Sequence, residues 1–94
     1  MPDIDLGPET ESTTGWCYET SVFTHGRVHR CFLTLSFQDY DLWCRGQHKP
    51  ARVAQAALQF WLEHHPTDPL PTRLDCATLR RSLPQVDTEL PGRV

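Results

Sequence analysis

GWCYETSVFTHGRVHRCFLTLSFQDYDLWCRGQHKPARVAQAALQFWLEHH (Gly15–His65) holds nearly all the large apolar residues of the chain, and its reading decides the fold. Trp16–Phe23 and Val28–Ser36 are rich in aromatic and β-branched residues and flank Thr24-His25-Gly26. Gly26 can take the positive φ that a tight hairpin turn demands. With His25-Gly26 as the loop, Val22 faces His29, Thr20 faces Cys31, Tyr18 faces Leu33 and Trp16 faces Leu35. These eight residues share one mostly apolar face. Cys17, Glu19 and Ser21 fall on the other, beside Arg30, Phe32 and Thr34. A one-residue slip would misalign the two apolar sets, so the register is specified.

A second hairpin fits the same scheme. With Gln38-Asp39 as its loop, Leu35 faces Leu42 and Leu33 faces Cys44 on the apolar face. Thr34 then faces Trp43 and Phe32 faces Arg45 on the opposite one. The expectation is a three-stranded antiparallel meander. Its turns place Asp39 and Asp41 in solvent, where Asp suits the backbone.

Pro50 suits the first position of a helix, and Ala51–His65 follows with helical periodicity. Its apolar residues span roughly 200° of arc, whereas a helix lying on a sheet needs little more than about 100°. Leu58 and Leu62 therefore require a second contact. Beyond the proline-rich connector Pro66–Pro71, Asp75 reads as the N-cap of a short helix, with Leu74 and Leu79 placed as a hydrophobic staple. Pro84 stops that helix near Ser82. The fold class is α+β in β-β-β-α-α order: a three-stranded antiparallel meander packed on one long helix, then a short second helix. Double-stranded-RNA-binding and HicB-antitoxin-like domains share this order of three strands and a helix. The likeness is one of topology, with no motif residue to carry over.

Outward from this block the composition changes. Residues 1–14 carry Asp3, Asp5, Glu9 and Glu11 without a basic residue or an apolar period, and 85–94 is polar with a Pro91-Gly92 break. Both read as disordered acidic or flexible tails around a single domain at 15–84, because such segments bury too little apolar area to offset chain entropy. A domain of that size is marginal alone, which favours self-association or a partner. The net charge is −3, yet the middle of the chain is mildly basic and the ends acidic. That density is far below that of a dedicated nucleic-acid binder. Eight arginines against one lysine point to a GC-rich, bacterial source. The acidic N-terminus lacks an apolar leader and no run reaches transmembrane length, so the expected location is cytoplasmic, with reduced thiols.

Four cysteines and five histidines raise metal and thiol chemistry. The only close pair is Cys44-x3-His48, and the registers scatter Cys17, Cys31, Cys44 and Cys76, so no four-ligand zinc site is expected. A Cys44/His48 nucleophile and base would lack an oxyanion pocket. No nucleotide loop or nucleophile elbow is present. No enzyme, cofactor or metal is expected. His64 and His65 close the long helix, where imidazoles suit the negative end of its dipole.

The sheet face away from the helix is the candidate working surface. Arg30, Phe32, Trp43 and Arg45 gather there in the expected registers, and Leu58 and Leu62 form the surplus helix arc. Aromatics flanked by arginine serve as protein-interface anchors and as stacking platforms for bases. The leading expectation is a non-enzymatic protein-interaction module that self-associates as a homodimer. The alternative is a nucleic-acid-binding regulator using the same face.

Overall fold

A computed structural model describes residues 3–24, 26–66 and 69–94 of the chain. In order, the elements are β1 (Asp3–Glu11), β2 (Gly15–Thr24), β3 (Arg27–Ser36), α1 (Phe37–Cys44), α2 (Pro50–His64), β4 (Arg73–Asp75), α3 (Cys76–Ser82) and α4 (Val86–Glu89). A 3₁₀ turn, Leu90–Arg93, follows. The four strands form one sheet in the order β1-β2-β3-β4. β1–β2 and β2–β3 are antiparallel and β3–β4 is parallel, so this is an α+β fold on a mixed sheet.

The β2–β3 register is the expected one, with Trp16 opposite Leu35, Tyr18 opposite Leu33, Thr20 opposite Cys31 and Val22 opposite His29. His25, half of the proposed loop, lies outside the described residues, while Gly26 has a φ of 72°. α2 begins with Pro50 at its first position, as the sequence predicts. Asp75 caps α3 by accepting from the Ala77 amide at 3.0 Å, Leu74 and Leu79 are both buried, and α3 ends at Ser82 ahead of Pro84.

The strand expected after Ser36 is a helix. Phe37–Cys44 is helical, because the Ser36 hydroxyl accepts from the Asp39 amide at 3.0 Å and opens a helix where a hairpin turn was expected. Tyr40, Trp43 and Cys44 then recur at helical spacing, and Trp43 and Cys44 are buried. Arg45 and Gly46 both adopt left-handed φ, 53° and 77°, and end α1. Trp16 meets the rings of Phe37 and Tyr40 edge-on, with centroids at 4.7 and 5.1 Å. An antiparallel meander followed by helices is nevertheless present, built from β1, β2 and β3, one strand earlier in the chain than expected.

The N-terminal segment is a strand instead of a disordered tail; Met1 and Pro2 lie outside the described residues. β2 without β1 would expose a long row of unpaired backbone groups, and β1 pairs with them. Ile4 and Leu6 are half-buried while Asp3 and Asp5 are exposed, so this short stretch does alternate. The register shifts between Leu6 and Glu9, across Gly7-Pro8. A Cβ on Gly7 would lie 2.4 Å from the Glu19 carbonyl oxygen. Beyond the shift, the Tyr18 hydroxyl donates to the Glu9 carboxylate at 2.6 Å.

The C-terminal segment also belongs to the domain. Val86 and Leu90, four residues apart, are both fully buried. Arg93 pairs with Glu63 on α2 and its guanidinium lies 5.6 Å from the Phe60 ring centroid. α3 and the terminal turn pack against α2, which supplies the second contact its wide apolar arc demands. The core therefore lies between one face of the sheet and a layer of helices, with Tyr18, Val22, Leu33, Leu35, Val53, Phe60 and Leu79 among its members.

Candidate interaction face

α1, α2 and α3 pack against the sheet, whose buried residues fall on one face, and among the described residues the other face is largely exposed. Strand parity and register arrange that open face in rows across the strands. Asp3, Phe23 and Val28 form one row, and Asp5, Ser21 and Arg30 the next. Glu19, Phe32 and Arg73 form a third, and Thr10, Cys17, Thr34 and Asp75 a fourth. Phe23, Val28 and Phe32 are 50%, 51% and 45% exposed, high values for large apolar side chains on strands. The Arg73 guanidinium sits 5.7 Å from the Phe32 ring centroid, a cation–π arrangement. Charge divides by strand: Asp3, Asp5 and Glu19 lie on β1 and β2, and Arg30 and Arg73 on β3 and β4. Asp75 is spent on capping α3.

Of the six residues proposed from sequence, the structure brings only Arg30 and Phe32 together. Trp43 is 2% exposed and donates its indole N–H to Asp87 at 3.0 Å. Arg45 is the C-cap of α1 and belongs to no strand. Leu58 is 0% exposed in the core and Leu62 is half-buried on α2, so the helix arc expected as a docking surface is covered from within the chain. Phe23 and Val28 were legible in the hairpin register, since parity alone puts them beside Ser21 and Arg30. Arg73 carried no signal, because β4 is three residues long and joins β3 from across the connector.

Asp39 differs most from its expected role. It is a buried carboxylate and not a solvated turn residue, with Oδ1 3.3 Å from Arg80 Nη1 and Oδ2 without a hydrogen-bond partner. Arg80 Nε also lies 3.1 Å from Asp87 Oδ1. This network ties α1, α3 and α4 together. Burial opposes ionisation of Asp87, but the Trp43 indole and the Arg80 guanidinium outweigh it and hold that carboxyl below its usual value.

The four thiols are free. Burial pushes the Cys31 thiol up to about 11, with a contribution from Cys17 and against the effect of a hydrogen bond with the Leu74 backbone. Burial, then the nearby carboxylates Asp75 and Asp39, raise Cys76 as well. Both are therefore protonated at neutral pH, unlike reactive cysteines. Cys44 meets His48 through the backbone, its Sγ 4.0 Å from the His48 carbonyl oxygen, which also accepts from the Tyr40 hydroxyl. Among the described residues, no group of three His, Cys, Asp or Glu side chains is placed to hold a metal ion. His64 and His65 bring their Nδ1 atoms to the Phe60 and Trp61 carbonyls at 2.9 and 3.0 Å, as expected for residues closing a helix.

Among the described residues, no helix is long and apolar enough to cross a membrane. Comparison with protein-family models, curated proteins and solved structures finds no match to this chain.

Proposed function

We propose that this chain is a non-enzymatic protein-interaction module whose open sheet face binds a second copy of itself. The observation that carries the reading is the charge split on that face, with three exposed apolar side chains at its centre. Consider two sheets facing one another about a two-fold axis that runs along the strands between β2 and β3. The operator lays β1 of one copy over β4 of the other, so Asp3, Asp5 and Glu19 approach Arg30 and Arg73 of the second copy. Phe23, Val28 and Phe32 then meet their own kind near the axis, as a closed isologous contact requires. Complementary charge sets register, while the desolvated aromatics supply most of the affinity.

Sedimentation velocity tests this. The parent chain dimerises, high salt weakens the dimer, and Phe32→Glu weakens it by at least about tenfold, as expected for a central anchor. A parent chain that stays monomeric at the highest soluble concentration sinks the reading. Nucleic acid is the second reading, favoured by Phe32 between Arg30 and Arg73. It is weaker because Trp43 and Arg45 are elsewhere, and Asp3, Asp5 and Glu19 share the face and repel phosphate. Salt-sensitive binding of a single-stranded probe, lost in Phe32→Glu, would promote it.

A further inference from the structure

A groove of about 650 Å³ opens on a different part of the molecule, between β1 and the start of α2. Its β1 wall is Ile4, Asp5 and Leu6, and its opposite wall includes His48, Lys49 and Arg52. β1 is the terminal strand of the sheet, and among the described residues no strand pairs with its outer edge. Such an edge presents free backbone donors and acceptors to any extended chain. The usable length is set by the strand itself: regular pairing runs from Asp3 to Leu6, then Gly7-Pro8 breaks the register and Pro8 offers no N–H. The groove lies beside this regular half. Lys49 and Arg52 make no ion pair among the described residues, although Arg80 and Arg93 do.

We infer that β1 and this groove form a docking site for an extended peptide that adds as a fifth strand beside β1. The side chains it turns toward the groove are acidic, and those on its other face are neutral or basic. Strand addition supplies backbone hydrogen bonds, and alternate side chains supply specificity. On the groove side the peptide meets Lys49 and Arg52. On the open side it lies next to Asp3 and Asp5, which repel acids and accept lysine. A second copy of β1 does not fit: its Asp3 and Asp5 would stand against the same residues, and like charges directly opposed across strands are destabilising. This site shares Asp3 and Asp5 with the proposed dimer but not Phe23, Val28, Phe32, Arg30 or Arg73, so a variant that cannot dimerise separates the two.

The test is a titration of the full ¹⁵N-labelled chain with the capped peptide Thr-Glu-Lys-Val-Lys-Glu-Thr. Glu and Val share one of its faces, and Lys and Thr share the other. Amide shifts are expected at Ile4–Leu6 and at His48, Lys49, Ala51 and Arg52. The same composition in blocks, Glu-Glu-Thr-Val-Thr-Lys-Lys, binds at least about tenfold more weakly, and so does the alternating peptide to a folded Lys49→Glu/Arg52→Glu variant. Repeating the titration on Phe32→Glu, which breaks the proposed dimer, leaves binding unchanged. Equal affinity for the block peptide, indifference to the charge reversal or shifts centred on Phe23 and Phe32 would each overturn the site. Concentration-dependent β1 shifts without peptide in Phe32→Glu would overturn it in favour of self-pairing.

Discussion

Leu90→Ala asks whether the C-terminal segment belongs to the core. Leu90 is completely buried, beside Val86 and against α2. Truncating a fully buried leucine costs about 2–5 kcal/mol, through lost transfer energy and the cavity left behind. About 3 kcal/mol is the reasonable expectation, since a terminal turn can settle partly into the space. For a domain of this size, each 1 kcal/mol moves Tm by about 4–8 °C, so the expected loss is about 12–24 °C. Glu89→Ala is the matched control: Glu89 is an exposed neighbour at the end of α4, and its change should stay within about 0.5 kcal/mol. Thermal melts by circular dichroism read both, and urea titration adds a check. The urea midpoint falls for Leu90→Ala while the slope stays constant, as for a change in stability alone. If Leu90→Ala melts within about 3 °C of the parent, residues 86–94 are a tail after all and the burial argument fails.

Two other perturbations probe different joints of the fold. Gly15 faces β3 so closely that an added Cβ would lie 2.0 Å from the Leu35 carbonyl oxygen. Gly15→Ala must therefore push backbone, and a loss of at least about 2 kcal/mol by chemical denaturation is expected; a neutral result would refute the close approach. Asp87 has its folded pKa depressed by Trp43 and Arg80 against the effect of burial, so its contribution to stability is complete above the ordinary carboxylate range. That contribution is lost as pH falls through the folded pKa. Asp87→Asn should flatten the acid limb of the stability–pH curve relative to the parent, and identical limbs would show that the network does not couple to pH.

The candidate face was half legible. Arg30 and Phe32 follow from the hairpin register alone, and the same parity reaches Phe23 and Val28. Trp43 and Arg45 were misplaced for one reason: Phe37–Cys44 is short, and eight residues containing Tyr, Leu, Trp and Cys satisfy a strand alternation or a helical period equally well. Ser36 ahead of Asp39 was the tie-breaker, since a serine whose hydroxyl can cap the third helical amide argues for a helix start. Leu58 looked like surplus because part of the cover of α2, the terminal turn, sits in a segment whose polarity hides the buried Val86 and Leu90.

What the chain determines locally, it determines well. A Gly at the turn and matched apolar alternation specify the β2–β3 register, proline placement and helical period specify α2, and Asp75 with its flanking leucines specifies α3. Each of these depends on residues close in sequence. Tertiary structure decided the rest: β1 as partner of β2, β4 as partner of β3, and the burial of Asp39, Val86 and Leu90. β1 and the C-terminal turn have weak apolar patterns of their own. They are ordered because an unpaired strand edge and an uncovered helix arc already await them, and that demand is set by distant residues.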